Sequence, residues 1–424
     1  MRTMPQNIVF GNGRLLFPGL VLLVVNQVVL AQEWTPTSAP SNWWRCIASS
    51  ADGSKLVAGQ WPGGIYVSTN SGATWATTTA TNEYWSCVAS SADGFKLLAG
   101  AANDIGPGGL FTSTNSGATW ASNSLPSMYW GSVASSADGN TLAAAAPSGE
   151  SLQTPGAIFC STNGGINWMS NAFNNPNVLP QYIPISVAAS ADGKKIVVAA
   201  SYNFFRSTNS GATWTQETNA PAIISGYLSP SQYIASSADG TKLALCAPQS
   251  DDGSPIYVST NSGDTWSLTS APSNSWEFIT MSANGNMIAA MTGVEQPGLI
   301  YVSTNLGAAW TTNSPIFNWS AVASSADGGE LAAAAFQDSD YDINSGKIYL
   351  SQTVVPPIMA IGPAGNRVQL SWLVPSTNFV LQQCSHFATW MDMTNIPVLN
   401  PDNLQYAVTI PSTNGAGFYR LKTP

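Results

Sequence analysis

The stretch Ser68-Thr69-Asn70-Ser71-Gly72-Ala73-Thr74-Trp75 decides the fold, because variants of it recur along the chain. The later copies run from Ser113 to Trp120, Ser161 to Trp168, Ser207 to Trp214, Ser259 to Trp266 and Ser303 to Trp310. A second phrase, close to Ala-Ser-Ser-Ala-Asp-Gly, precedes each copy, with its turn residue at Asp52, Asp93, Asp138, Asp192, Asp239, Asn284 and Asp327. Two phrases that alternate with a period of roughly 40–50 residues predict a repeat protein, and this period is typical of the four-stranded blade of a β-propeller.

Both phrases are predicted to be turns between short strands. Asp-Gly between two short apolar runs is a strong hairpin signal, because the tight turn needs a positive φ that Gly adopts freely. In the longer phrase we expect Ser68 and Asn70 to bond the backbone and Gly72 to be left-handed. The tryptophan that ends each copy is predicted to be a core wedge between neighbouring sheets. These tryptophans are Trp75, Trp120, Trp168, Trp214, Trp266 and Trp310.

The longer phrase resembles the Asp-box (BNR) repeat, Ser-x-Asp-x-Gly-x-Thr-Trp, with Asn at the usual acidic position. The resemblance extends from Trp34 to about Ser351 and implies an all-β, seven-bladed β-propeller of the sialidase-like superfamily. A family of propellers that assist photosystem assembly has the same repeat, but a shared fold does not carry a function.

The two ends of the repeat region are predicted to complete one blade together. Trp34 begins a segment that resembles the residues after a box, whereas Ile348 to Ser351 ends where a box begins. We therefore expect the N-terminus to supply the outer strand of the last blade. Closing the ring in this way removes open sheet edges that invite aggregation.

Three segments are predicted from composition and pattern. Residues 1–31 have the basic start, apolar run and Val29-Leu30-Ala31 end of a signal peptide, which predicts export with cleavage near Ala31 and no membrane span. Residues 32–353 form the propeller. Residues 354–424 contain short alternating segments that predict a small β-sandwich. They resemble the Ig- or fibronectin-III-like modules at the C-termini of secreted proteins.

The face formed by the variable loops is the predicted binding site, because function usually lies on variable loops held by a rigid scaffold. Rings beside carboxylates suit sugar recognition, although solvated loop acids would have the same pattern. The candidate binding residues are Trp61, Asp104, Glu150, Tyr202, Asp251, Asp252, Glu295 and Tyr341. In contrast, the repeated Asp-Gly aspartates are interpreted as structural.

Sialidase activity is not expected. Sialidases hold the substrate carboxylate with three arginines, but between residues 32 and 353 this chain has only Arg45 and Arg206. Arg206 aligns with Val67 beside a box and is therefore predicted to face the repeated turns.

Other chemistry finds little support. The single His386 lies in the C-terminal segment, which argues against Ser-His or Cys-His catalysis on the propeller. Cys46 and Cys87 occupy equivalent strand positions, and either a disulfide or two buried thiols is possible there. Alternating Asp338, Asp340 and Asp342 resemble the start of a calcium loop, but Gly and Glu are missing from its later positions. No other cofactor is predicted.

These features predict an exported, monomeric, non-catalytic binding or scaffolding protein for a glycan or protein ligand. The alternatives are a glycoside hydrolase that acts on neutral polysaccharide with a pair of loop carboxylates, and a purely structural surface protein. A net charge of −9, with only 8% charged residues, argues against nucleic acid or anionic lipid as partner.

Overall fold

The computed structural model describes residues 20–22, 33–103, 106–148, 155–171, 184–200, 203–221, 233–246, 253–292, 297–336, 346–352, 359–365, 367–375, 379–384, 390–411 and 417–422. These residues form an all-β structure without a helix. Its main feature is a four-stranded sheet that repeats along the chain.

The described chain contains seven such antiparallel sheets, numbered 1 to 7, and the strands of each are called A to D from the inside outwards. Sheet 1 comprises Trp44–Ser49, Leu56–Gln60, Ile65–Ser68 and Ala76–Thr77. Sheet 2 comprises Trp85–Ser90, Leu97–Asn103, Gly106–Ser113 and Ala121–Ser122. Sheet 3 comprises Ser132–Ser135, Leu142–Ser148, Pro155–Ser161 and Met169–Asn171. Sheet 4 comprises Pro184–Ala189, Ile196–Ala200, Asn203–Ser207 and Thr215–Glu217. Sheet 5 comprises Ile234–Ser236, Leu243–Cys246, Ile256–Ser259 and Ser267–Leu268. Sheet 6 comprises Trp276–Met281, Ile288–Thr292, Ile300–Ser303 and Thr311–Thr312. Sheet 7 comprises Trp319–Ser324, Glu330–Ala335, Ile348–Gln352 and Glu33–Pro36.

Sheet 7 confirms the predicted pairing of the two ends of the repeat region. Its strand D comes from the N-terminal side of sheet 1 and runs antiparallel to strand C, with Trp34 opposite Ser351 and Pro36 opposite Tyr349. The A strands of successive sheets contact one another, and strand A of sheet 7 contacts strand A of sheet 1. The series of sheets is therefore closed.

The Asp-Gly turns connect strands A and B, as predicted. In sheet 1 the Ser50 hydroxyl donates to Asp52 Oδ1 over 2.6 Å, and the Lys55 amide donates back to the Ser50 oxygen over 2.9 Å. Gly53 has φ +73°, which most side chains disfavour. The same bonds recur in the other sheets, so these aspartates have structural partners.

A ring of backbone hydrogen bonds joins the seven turns between strands A and B, of which six are Asp-Gly and one is Asn-Gly. The alanine before each turn residue donates its N–H to the carbonyl of the equivalent alanine in the next sheet, over 2.7–2.8 Å. The donors in order are Ala51, Ala92, Ala137, Ala191, Ala238, Ala283 and Ala326, and Ala326 donates to Ala51. We call these residues the alanine ring.

The box turns connect strands C and D and confirm their predicted chemistry. The Ser68 oxygen accepts from the Gly72 amide over 2.9 Å, and Asn70 Oδ1 accepts from the Thr74 amide over 2.8 Å. Gly72 has φ +73°, as predicted, and Ser71 before it has φ +49°. The Ser71 amide also bonds the Ser54 carbonyl, so box turns and Asp-Gly turns lie together on one side, the repeated-turn face.

The box tryptophans lie between sheets and pack against the core clusters, as predicted, but none of them is fully buried. All six are half-buried, because they precede the short outermost strand. The fully buried tryptophans lie at strand A instead: Trp44, Trp85 and Trp319 begin this strand, and Trp130 lies just before it. In sheet 2, Trp85 packs against Phe111 and Trp120, with ring centroids 5.3 and 6.4 Å away, and this group packs on sheet 1.

The C-terminal residues form two further sheets, here called the C-terminal module. One contains Ala360–Ala364, Arg367–Leu373, Gln405–Pro411 and Val398–Asn400; the other contains Leu20–Leu22, Gly417–Lys422, Val380–Cys384 and Met391–Asp392. Leu20–Leu22 lies within the predicted signal peptide and pairs in parallel with Gly417–Lys422. Leu370, Trp372 and Leu381 belong to one buried cluster that joins both sheets.

The C-terminal module packs on the alanine ring. Leu404, Tyr406 and the buried Val374 belong to one apolar cluster with Ala51 and Ala326. Leu404 also lines the cavity of about 160 Å³ at the centre of the ring, and its φ is +55°. The module therefore covers the centre of the repeated-turn face. It also packs over the junction of sheets 7 and 1.

Deleting residues 32–38 should open the outer edge of strand C in sheet 7, because strand D would be lost. We expect the truncated protein to self-associate and to melt at a lower temperature, as measured by light scattering and thermal unfolding. A monomer with an unchanged Tm would contradict the role of this strand in closure.

Trp85→Ala should destabilise the protein by about 3–5 kcal/mol, because it removes a fully buried ring. Trp120→Ala, in the same cluster, should cost less, about 1–2 kcal/mol, because its ring is only partly buried. Urea unfolding of both variants measures the difference. Equal losses would contradict the assignment of Trp85 as the core member of the pair.

Candidate functional site

Trp61 is the predicted binding residue that the structure describes. It follows strand B of sheet 1, on the side opposite the repeated turns, which we call the variable-loop face. The other predicted binding and calcium-binding residues lie outside the described residues: Asp104, Glu150, Tyr202, Asp251, Asp252, Glu295, Tyr341, Asp338, Asp340 and Asp342.

Trp61 belongs to a group of aromatic side chains at the junction of sheets 7, 1 and 2. Its ring meets Tyr84 edge-on, with centroids 5.4 Å apart at 79°. Its amide donates to the Trp43 carbonyl over 2.8 Å. Trp43 in turn stacks on Phe336, with centroids 5.5 Å apart at 29°. We call Phe336, Trp43, Trp61 and Tyr84 the aromatic arc.

The loop geometry explains why these rings meet. Trp43 and Tyr84 each precede the buried tryptophan that begins strand A, whereas Trp61 and Phe336 each follow strand B. Because strands A and B are adjacent and antiparallel, these two positions lie at the same end of a sheet. Trp43 is 40% exposed although it is a large apolar side chain, so its ring is available to a ligand.

Polar groups accompany the aromatic arc. The Arg45 guanidinium lies 5.7 Å from the centre of the Trp61 ring, in a cation–π contact. Gln60 is almost fully buried, and its Oε1 accepts from the Gly64 amide over 3.1 Å. Among the described residues, Gln60 Nε2 and Asn318 Oδ1 have no hydrogen-bond partner. The arc can thus offer flat apolar rings beside hydrogen-bonding groups.

Two turn aspartates on the opposite face, Asp138 and Asp239, are held ionised by their turns. Burial opposes ionisation of Asp138, but bonds from the Ser136 hydroxyl and from Asn140 lower its pKa. The same balance lowers the pKa of Asp239, where Ser237 and Thr241 donate. A carboxylate held ionised in this way is poorly suited to donate a proton as a catalytic acid.

Arg206 holds two sheets together and is engaged by acidic partners. It lies on strand C of sheet 4 beside the box turn of sheet 5, as its alignment predicts. Its guanidinium contacts Glu217 at 2.9 Å and Asp264 at 2.7 Å and donates to the Ser262 carbonyl. Arg45 lies on the other face, so the two arginines do not converge on one substrate carboxylate.

Cys46 and Cys87 are buried thiols that do not bond each other, so the disulfide alternative for this pair is wrong. Burial is the main cause that raises the pKa of Cys87 to about 12, which makes it a poor nucleophile. In the part of the chain that the structure describes, no three His, Cys, Asp or Glu side chains form a group that could hold a metal. No apolar helix of membrane-spanning length occurs in that part either.

The sequence analysis missed the pairing of Trp43 with Phe336. It chose residues by loop length and residue type, and Trp43 and Phe336 stand at the edges of their loops. The signal that could have found them is positional: an aromatic residue just before strand A and another just after strand B are adjacent in space.

No protein-family model matches the chain, and no curated protein matches its sequence. Its fold is similar to the β-propeller domain of Cps50 (Swd1) from Myceliophteria thermophila, at 12% identity and TM-score 0.56, over 76% of this chain and 99% of that one. It is similar to the GH74 xyloglucanase from Xanthomonas campestris, at 13% identity and TM-score 0.52, over 81% of this chain and 60% of the enzyme. It is also similar to YCF48 bound to D1 peptide, at 13% identity and TM-score 0.51, over 78% and 99%. At these identities the likenesses show the fold alone: the chain forms a β-propeller.

Proposed function

We propose that this protein is an exported, non-catalytic binding or scaffolding propeller that recognises a glycan or protein ligand through its variable-loop face. The exposed stacking of Trp43 on Phe336 is the observation that carries the proposal. Soluble proteins rarely leave clustered aromatic rings exposed without a binding partner.

The finer architecture belongs to the same proposal. The seven closed sheets support a seven-bladed Asp-box propeller related to the sialidase-like superfamily, and the shared core of the C-terminal sheets supports a β-sandwich. The basic and apolar residues of 1–31 support secretion with cleavage near Ala31. We expect a monomer, because the pairing of both chain ends in sheet 7 leaves the ring without an open inner edge.

The two faces of the propeller differ in what they can offer a ligand. On the repeated-turn face, the C-terminal module covers the centre, and the turn side chains bond one another. On the variable-loop face, the aromatic arc offers rings on which the C–H faces of a sugar can stack. The Arg45 guanidinium beside Trp61 adds a group that can donate to sugar hydroxyls or to a peptide carbonyl.

A protein ligand is the second candidate within this proposal. Propellers of this fold include YCF48, which has been seen with a D1 peptide. Aromatic side chains with an adjacent arginine are also the residue types enriched where proteins bind proteins. The binding experiments below therefore include both ligand classes.

A glycoside hydrolase acting on neutral polysaccharide is the alternative function. It is favoured by the similarity in fold to a xyloglucanase. Such an enzyme needs two carboxyl groups about 5–10 Å apart across the bond that is cut. The candidate acids come from loops of different sheets, and nothing in their spacing pairs two of them.

Trp43→Ala should weaken ligand binding at least tenfold, because it removes the exposed ring of the arc. A tenfold change corresponds to about 1.4 kcal/mol. Binding is measured by calorimetry with ligands found on arrays of neutral glycans and of peptides.

Phe95→Ala is the matched control. Phe95 is also an exposed aromatic residue, but it lies on the repeated-turn face beneath the Lys55 ammonium. The Phe95→Ala variant should bind the ligand with the same affinity as the wild type. Equal affinities of the Trp43→Ala variant and the wild type would exclude the aromatic arc as the binding site.

The wild type should release no reducing ends from neutral polysaccharides. A reducing-end assay compares the wild type with five single alanine variants, at Asp104, Glu150, Asp251, Asp252 and Glu295. The hydrolase would replace the binding proposal if the wild type released reducing ends and two of the single variants did not.

A further inference from the structure

A lysine ladder links neighbouring sheets beside the alanine ring. The second residue after each turn glycine packs on the glycine of the next turn, as Lys55 does on Gly94. Its ammonium group donates to that turn: Lys55 to the Asp93 carbonyl, Lys195 to the Asp239 carbonyl, and Lys242 to the Asn284 carbonyl. Lys96 instead bonds Asn140 Oδ1 over 2.7 Å. The same position holds neutral Thr141 and Met287 in sheets 3 and 6.

Sheet 7 has an acid at this position. Glu330 packs on Gly53 in the first turn of sheet 1, and a Cβ added to Gly53 would lie 2.9–3.1 Å from the Glu330 carboxyl group. Glu330 is only 1% exposed. Its Oε2 accepts from Gln352 Nε2 over 2.8 Å, whereas Oε1 is buried without a partner among the described residues. An ionised carboxylate cannot donate to the next turn as the lysines do.

The surroundings of Glu330 favour its protonated form. Burial is the largest cause that raises its pKa to about 7; the Gln352 bond opposes this, and Asp327 and Asp52 add to the rise. Asp327 belongs to the turn of sheet 7 and Asp52 to that of sheet 1. On the outer strand, Glu33 lies opposite Gln352. From the C-terminal module, Tyr406 lies near Asp52, whose charge together with burial raises the tyrosine pKa.

We propose that Glu330 is a protonation latch that holds sheet 7 against sheet 1. In the protonated form, its hydroxyl can donate to the turn of sheet 1 in place of the lysine ammonium found elsewhere. In the ionised form, an unsatisfied charge is buried beside Asp52 and Asp327, and burial of an unpaired charge is unfavourable. The inference is independent of the proposed binding function.

The latch lies in the sheet whose strands come from both ends of the repeat region. Strand D of sheet 7 continues into strand A of sheet 1, but it meets strand C of its own sheet through non-covalent contacts alone. Strand D of sheet 7 pairs with the strand that carries Gln352, and the C-terminal module packs on Ala51 and Ala326. Ionisation of Glu330 should therefore loosen the N-terminal strand and leave the other junctions unchanged.

The sign of the pH dependence follows from the raised pKa. A carboxyl group whose pKa is higher in the closed state than its ordinary value near 4.5 stabilises closure at low pH. That contribution decreases as pH rises from about 4.5 to about 7 and is lost above it. Between pH 5.5 and 8.5 these two values predict an increase of about 30-fold in the opening equilibrium.

Hydrogen–deuterium exchange of residues 33–35 at pH 5.5 and 8.5 tests the latch, with labelling times corrected for the intrinsic pH dependence of exchange. The wild type should lose about 30-fold in protection at pH 8.5. Glu330→Gln, which keeps the shape but does not titrate, should change less than about threefold. Ala121–Ser122, at a junction held by Lys55, is the internal control and should not change.

Glu330→Lys is a second variant that restores the residue found in the ladder. It should keep the N-terminal strand protected at both pH values, and it tests the latch even if Glu330→Gln folds poorly. The same loss of protection at pH 8.5 in the wild type and in either variant would overturn the proposal. So would a wild type whose protection is constant with pH.

Discussion

The alanine ring is the constraint on which the rest of the structure depends. Seven backbone N–H groups each donate to the carbonyl of the next sheet, and the last donates to the first. Such a ring closes only if every sheet places the same backbone group at the same distance from the centre. This explains why the phrase around Asp-Gly varies so little: alanine is small enough for seven copies to converge, and the Ser-Asp bonds hold each turn in one shape.

Packing between sheets follows from this arrangement. Wedge-like gaps open outwards from the ring. In sheets 1 and 6 the gap is filled by a buried tryptophan of strand A, an aromatic residue of strand C and a partly buried box tryptophan. Close packing of large rings gives each junction a single geometry.

The junction of sheets 7 and 1 differs from the others in three respects. An N-terminal strand completes sheet 7, the C-terminal module packs over the junction, and Glu330 replaces the neutral or basic residue found elsewhere. The aromatic arc also spans this junction on the variable-loop face. Closure of the ring and the candidate binding surface thus depend on the same pair of sheets.

The sequence by itself determined the repeat and the turns, because these depend on residues close together in the chain, such as Asp52 beside Gly53 and Ser68 beside Asn70. It also determined the closing strand, because the segment from Trp34 repeats the residues that follow a box elsewhere. Only the tertiary structure decided which tryptophan of each sheet is buried, that Trp43 meets Phe336, that Glu330 faces Asp52, and where Leu404 lies. These depend on which sheets become neighbours, and residues 43 and 336 are adjacent only because the ring brings the two ends of the chain together. The sequence records the residue at each position, but its burial and partners are set by the closed ring.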